Sequence, residues 1–361
     1  IDSLTSLAQK AAFLQTCYQE GSKLYEEDEQ AKVEIDDLNK KIYQTDPEIY
    51  ELWQTTRGWS LDYYKAFEER LGIHYDKYYL ESDTGPVGKK LVEDHIGSVF
   101  EKSEGAVVFR GEKYGSHTRV FITKAGNPTY EAKDIGTEFL KYKDWPFDQA
   151  IITTASEQNG YFKVVIQAIN ETLPELNGKV KHIGFGLIDL KQGKMSSRTG
   201  NIVSAIDLVD TVKDMAKDLK DHTIEKDESD SISEILSLGA IKYSFLKSDA
   251  MKNISFDIKE SISIHGNSGP YIQYSYARCK SILKKASEIN VPDEIASSNT
   301  PRNDNLIQEE SFLLRTLFRF PEVVAEAATR VNVVYSGKQI TGISAGAGLT
   351  ITHNAAEFRI P

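Results

Sequence analysis

Lys194-Met195-Ser196-Ser197-Arg198-Thr199-Gly200-Asn201 is a run of small residues carrying two cations. Before it, His182 to Leu190 is apolar and punctuated by glycine, which predicts a buried strand with its turn. After it, Ser204-Ala205-Ile206-Asp207 forms a capping box that predicts the start of an amphipathic helix. A small-residue loop between a strand end and a helix start offers backbone N–H groups, hydroxyls and cations to a polyphosphate. An ordinary basic turn has the same spacing, so spacing alone leaves both readings open.

Working outward, Ala106 to Phe109 and Val120 to Thr123 are short apolar runs separated by a polar turn at Gly115-Ser116. Ile151 to Thr154 is a β-branched run that leads through Ser156-Glu157-Gln158 into a helical pattern ending near Asn170. Strand, polar turn and helix in this order suit the crevice at the carboxyl ends of a parallel sheet. Between them, Thr129 to Gly136 opens a helix on this reading, with Tyr130 and Asp134 at i and i+4 on one face. Residues 1 to about 82 read as helical, with Asp46 as an N-cap ahead of Pro47. Trp53, Trp59, Tyr63, Tyr64 and Phe67 recur near helical spacing and read as core. So do Ile232, Ile235, Leu236, Ala240, Ile241, Phe245 and Leu246. Glu225 to Asp230 reads as an exposed acidic loop.

The wording of the opening stretch adds to this. Lys-Met-Ser-Ser-Arg-x-Gly-Asn resembles the KMSKS loop of class I aminoacyl-tRNA synthetases, in the form found in arginyl-tRNA synthetases. The fourth position, a lysine in most of that class, is Ser197 here, which leaves open the cation that neutralises pyrophosphate. Thr-Tyr-x-x-x-Asp-Ile-Gly from Thr129, followed by Ser156-Glu157-Gln158, resembles the arginine-binding segments of that family. Gly266-Asn267-Ser268-Gly269-Pro270-Tyr271-Ile272-Gln273-Tyr274 resembles the start of its helical anticodon-binding domain. The resemblance covers roughly residues 15 to 330.

The resemblance implies an α/β nucleotide-binding, Rossmann-like catalytic domain, second half only, followed by part of an α-helical anticodon-binding bundle. Its expected bounds are 1–222 for the catalytic part, with a helical insertion over 1–82, and 223–264 for a helical connective segment. The bundle is expected over 265–330, and 331–361 reads as an unmatched tail, disordered or a loose hairpin. The implied activity is arginine–tRNA ligation. L-arginine and ATP, accompanied by Mg2+, give arginyl-adenylate, and the arginyl group passes to the 2′-hydroxyl of the terminal adenosine of tRNA(Arg). Lys194, Ser196, Ser197 and Arg198 would act on the phosphates, with Lys194 first. Lys194, Met195, His182, Phe185, Gly186 and Leu187 would meet ATP. A guanidinium ligand needs a carboxylate for bidentate pairing and neutral acceptors around it. Asp134 would supply the charge, Tyr130 an aromatic wall and hydroxyl, and Gln158 a side-chain amide. Arg278, Lys280, Lys284 and Lys285 would give a basic side for tRNA phosphates, although a solvated helix face has the same composition.

His95-Ile96-Gly97-Ser98 and His182-Ile183-Gly184-Phe185 both look like the HIGH signature of this class. His95 follows a helix-like run and reads as structural, and His182 lies at the wrong end of the domain. The signature itself is therefore expected ahead of Ile1, in which case the chain is an N-terminally truncated piece, inactive alone. Two other readings remain: a class I lysyl-tRNA synthetase, and a non-catalytic tRNA-binding paralogue.

Composition sets the outer limits. The chain has 361 residues, 40% hydrophobic and 27% charged, with formal net charge -11. It is globular in composition and has room for two domains. The acidic balance argues against non-specific nucleic-acid binding, and no DNA or membrane partner is expected. Cys17 and Cys279 stand far apart, which suits a reducing, cytoplasmic setting.

Overall fold

The computed structural model describes residues 4–191, 204–217, 226–288, 308–330, 343–345, 349–351 and 358–359. The chain divides into two units, residues 1–78 and 79–361.

The first unit holds α1 (Leu7–Glu27), α2 (Glu29–Tyr43) and α3 (Pro47–Leu71). Their ends follow from local chemistry. Ser6 and Gln9 close a reciprocal capping box on α1. The Asp28 carboxylate caps α2, and Asp46 caps α3 ahead of Pro47. Gly72, at φ 64°, takes the left-handed turn that ends α3. None of the three helices has a fully buried residue. Trp53, Trp59, Tyr63 and Phe67 are partly covered, whereas Tyr64, read as core, is 61% exposed. Helical spacing marks a face, and three long helices alone do not cover the whole of it.

The second unit starts with α4 (Glu81–Asp94) and an antiparallel sheet of β1 (Glu101–Ser103), β2 (Ala106–Phe109) and β3 (Arg119–Ile122). Glu104 and Gly105, at φ 50° and 86°, make the two-residue turn between β1 and β2. Then come α5 (Tyr130–Asp144), β4 (Ala150–Ala155), α6 (Asn159–Thr172) and β5 (Val180–Phe185). β4 and β5 pair in parallel with α6 between them, the crossover that parallel strands require. One core joins these elements: Phe100, Phe109 and Phe121 meet at centroid separations of 5.0–6.1 Å. Ile135 of α5 and Val164, Val165 and Ile169 of α6 complete it, all fully buried.

α4 and α5 touch backbone to backbone. A Cβ on Gly136 would be driven into the Thr84 carbonyl oxygen and would lie 2.7 Å from the Gly88 nitrogen. One on Gly88 would meet the Ala132 carbonyl. Two facing glycines thus set this approach.

His182 to Leu190 is not one buried strand. β5 ends at Phe185, and β6 (Ile188–Leu190) follows, mostly exposed. β6 pairs in parallel with β7 (Ile254–Phe256). Between them lie α7 (Ala205–Ala216), capped by Ser204 as its sequence predicts, and α8 (Lys226–Leu246). Residues 226–230, read as loop, are helical. Their acidic residues suit a helix N-terminus, where the macrodipole favours negative charge. Lys213 joins the two helices through Asp230 and Glu234, at 2.8 and 3.1 Å. Ile235, read as core, is 59% exposed, while Ala240 and Ile241 are buried. The chain continues through α9 (Ile258–Ser261), α10 (Gly269–Glu288) and α11 (Gln308–Arg330). Three short strands, β8 (Ile343–Ala345), β9 (Leu349–Ile351) and β10 (Phe358–Arg359), pair antiparallel near the end.

Candidate functional site

Because β4 and β5 pair in register from Ala150↔Val180 to Ala155↔Phe185, their carboxyl ends lie side by side. Ser156–Gln158 turns there as a single 3-10 turn, and α6 begins at Asn159. Gly184 lets β5 pass under this turn: a Cβ there would strike the Asn159 side chain and lie 2.9 Å from Ser156 Cα. His182 stacks on Phe162, with centroids 4.4 Å apart. Its Nε2 shares a 2.8 Å hydrogen bond with Thr154 Oγ1. Burial holds its pKa below the usual imidazole value. His95, by contrast, ends α4 with Nδ1 2.8 Å from the Leu91 carbonyl oxygen, a structural role.

Asp134 sits in the second turn of α5. Its Oδ2 accepts a hydrogen bond from the Tyr161 hydroxyl at 2.6 Å, and Tyr161 lies in the first turn of α6. Burial raises the Asp134 carboxyl to about 6. Tyr161's hydrogen bond pulls it down, and Glu138, Glu131 and Glu81 push it up. The Tyr161 phenol is raised by burial and by Asp134. Each neighbouring acid has its own cation. Arg119 holds Glu131 at 3.0 Å, Lys141 holds Glu138 at 2.7 Å, and Lys133 holds Glu81 at 2.6 Å. Among the described residues Asp134 has a neutral hydroxyl instead. A cationic ligand would be the missing counter-charge.

Tyr130, one turn before Asp134, is 65% exposed, with the Lys133 ammonium 5.0 Å from its ring centroid. Gln158 is exposed, three residues before Tyr161. Among the described residues no hydrogen bond joins Tyr130, Asp134 and Gln158 to one another. Tyr130 and Asp134 lie in the first two turns of α5, and Gln158 immediately precedes α6. Tyr161, Arg119 and Glu131 were not singled out by sequence reasoning. Tyr161 stands three residues after Gln158, and only the pairing of α5 with α6 brings it to Asp134.

Phe185 and Leu187 are 44% and 41% exposed, and Gly186 is buried. The Gly186 N–H donates to the Ala250 carbonyl at 2.8 Å and the Leu187 N–H to Asn253 Oδ1 at 2.9 Å. The Leu187 carbonyl accepts from the Ile254 N–H at 2.9 Å. These three backbone groups are committed within the chain, and the Phe185 and Leu187 side chains are exposed beside them. Lys194, Met195, Ser196, Ser197 and Arg198 lie outside the described residues.

Arg278, Lys280, Lys284 and Lys285 are all exposed on α10. At 100° per residue they form two columns, Arg278 with Lys285 and Lys280 with Lys284, rather than one basic side. Arg278 lies 5.7 Å over the Tyr274 ring and Lys280 5.6 Å over Tyr276. Among the described residues no helix is long and apolar enough to cross a membrane. Nor, among them, do three or more His, Cys, Asp or Glu side chains gather as a metal site.

Comparison with known proteins places the chain in a family. Residues 272–336 match the DALR anticodon binding domain. Over 292 residues the chain is 36% identical to the arginine–tRNA ligase of Bacteroides fragilis, covering 78% of this chain and 48% of that protein. Over 329 residues it is 34% identical to that of Phocaeicola vulgatus, covering 86% and 53%. The chain therefore spans about half the length of the curated relatives it matches. In fold it is similar to the arginyl-tRNA synthetase of Plasmodium falciparum, with TM-score 0.61 and 23% identity over 79% of this chain and 47% of that one. That of Thermus thermophilus gives 0.59 and 23%, over 83% and 58%. With residues 2–258, the stretch that carries β4, α6, β5 and Asp134, matching tRNA synthetases class I (R), catalytic domain, the chain belongs to that family.

Proposed function

We propose that this chain provides the arginine-recognising and phosphate-handling part of an arginine–tRNA ligase. The observation that carries the reading is Asp134, a partly buried carboxylate with no cationic partner among the described residues, at the carboxyl ends of two parallel strands. A guanidinium ligand supplies the charge and a planar fork of donors. Arginine and ATP then give arginyl-adenylate and pyrophosphate, and the arginyl group passes to the 2′-hydroxyl of the terminal adenosine of tRNA(Arg). Carboxylate and phosphate held in line need positioning and charge neutralisation rather than covalent help from the protein. Lys194 and Arg198 take the phosphates, His182, Phe185 and Leu187 border the nucleoside, and the α10 cations meet tRNA. Mg2+ held by the ATP phosphates would shield their charge. The setting is cytoplasmic. The four-part division at 222, 264 and 330 is the matching proposal for domains.

The test is ATP–pyrophosphate exchange by the gene product that carries this chain, with tRNA present. Exchange is expected with arginine and not with lysine; lysine-dependent exchange overturns the reading. In the same assay Lys194→Ala is expected to slow single-turnover adenylate formation by ~10²-fold, the size of one lost charge-stabilising contact. A loss of ATP affinity with an unchanged chemical step would remove that role.

Proton linkage offers a second check. In the free protein Asp134 ionises near pH 6, above its ordinary 3.8. Its raised carboxyl costs folding stability as pH climbs from about 4 to 6, because there the folded state holds the extra proton. Guanidinium pairing needs the ionised form. Arginine binding below pH 6 should therefore release a proton and weaken as pH falls, which calorimetry in two buffers of different ionisation enthalpy measures. Uptake of a proton, or none, would contradict it.

A further inference from the structure

We infer that Tyr161 is a positioning residue, one that fixes the plane of the Asp134 carboxylate for a bidentate guanidinium contact. The inference rests on the arginine reading above. A carboxylate meets a guanidinium fork with both oxygens in one plane, so a freely turning side chain would seldom present them together. The Tyr161 hydroxyl stops that rotation by holding Oδ2 at 2.6 Å. Oδ1 is left for an incoming donor, and Oδ2 keeps a second lone pair.

The Tyr161 ring is itself held from two sides. Its ring meets Phe162 edge to face, with centroids 4.9 Å apart and planes at 84°. The Arg119 guanidinium lies over its face at 5.0 Å. Arg119 in turn is tied to Glu131 by a 3.0 Å ion pair. β3, α5 and α6 thus converge on one carboxylate oxygen. The arrangement also excludes a competitor. Arg119, which lies over the tyrosine ring, is paired with Glu131 and not with Asp134.

The groups facing Asp134 are Glu131 and Glu138 on its own helix, Glu81 on α4 and Tyr161 on α6, with Arg119 of β3 behind Glu131. Of the uncharged and acidic neighbours, Tyr161 alone favours the ionised form. A hydroxyl that donates to the charged carboxylate lowers its pKa, and removing it raises it. Position and titration therefore report the same contact.

The experiment compares Tyr161→Phe, Tyr161→His and Asp134→Asn in the gene product that carries this chain. Arginine binding and exchange are followed against pH. Tyr161→Phe is expected to raise the arginine KM about 10-fold, one charge-assisted hydrogen bond, with kcat within about twofold. The acid limb of arginine binding moves to higher pH. Tyr161→His, which keeps an N–H donor, restores part of both. A carbon-13 titration of the Asp134 carboxyl gives the same shift without relying on turnover. An unmoved limb with near-normal KM in Tyr161→Phe, while Asp134→Asn is crippled, overturns the positioning role and leaves the arginine reading standing. Near-normal arginine use in Asp134→Asn overturns both.

Discussion

Asp134→Asn is expected to weaken arginine use about 10²-fold or more, since losing one partner of a desolvated charge pair costs roughly 2–5 kcal/mol. The size follows from where the carboxylate sits. It is partly buried, and every acid around it already has a cation. The bound guanidinium would therefore find no other free carboxylate nearby to accept it. Asparagine keeps the shape and one acceptor oxygen, and its own N–H groups would face those of the ligand. Arginine-dependent pyrophosphate exchange with tRNA reads the loss, and a near-normal Michaelis constant would remove Asp134 from the site. Folding should not suffer, because asparagine can still accept from the Tyr161 hydroxyl and has no charge to bury.

The second large effect is on stability. Gly88→Ala is expected to destabilise the second unit by about 3 kcal/mol, the upper end of overpacking, because backbone meets backbone and neither side can rotate away. The new Cβ would collide with the Ala132 carbonyl, two residues from both Tyr130 and Asp134. Gly58→Ala is the control. It is also in a helix, with nothing within 4 Å of the added Cβ. There the better helix propensity of alanine should stabilise by about 0.5–1 kcal/mol. Thermal or denaturant unfolding of the two variants should move in opposite directions. Two shifts of the same sign would mean that α4 and α5 do not pack through these glycines.

How much of this was legible in the sequence varies by element. The β4–turn–α6 run was, because β-branched residues, a polar turn and a helical period follow one another without overlap. The caps at Asp46 and Ser204 were too, since capping is a contact within three residues. The glycine contact between α4 and α5 was not. It depends on two residues 48 positions apart that carry no side chain to signal a face. The start of α8 was misread because a cluster of acids looks the same in a loop and at a helix N-terminus. At the site, Tyr130, Asp134 and Gln158 were named from a motif, while Tyr161 depends on the pairing of two helices. Periodicity also overcounted the core: Tyr64 and Ile235 fit the period and stay exposed, since a helix face is wider than what packs on it.

The parallel pairing of β6 with β7 joins positions 66 residues apart, as the Leu187–Asn253 hydrogen bond illustrates. During synthesis β6 has to wait for its partner, about 3–13 s at 5–20 residues per second. Among the described strands it has no other neighbour in that interval. β5 can pair at once with the already completed β4, so the crevice at their carboxyl ends can assemble early. Contacts as distant in sequence as β6 with β7 form late. Ribosome-stalled chains ending before and after β7 should therefore differ in protease protection at β6 and not at β4.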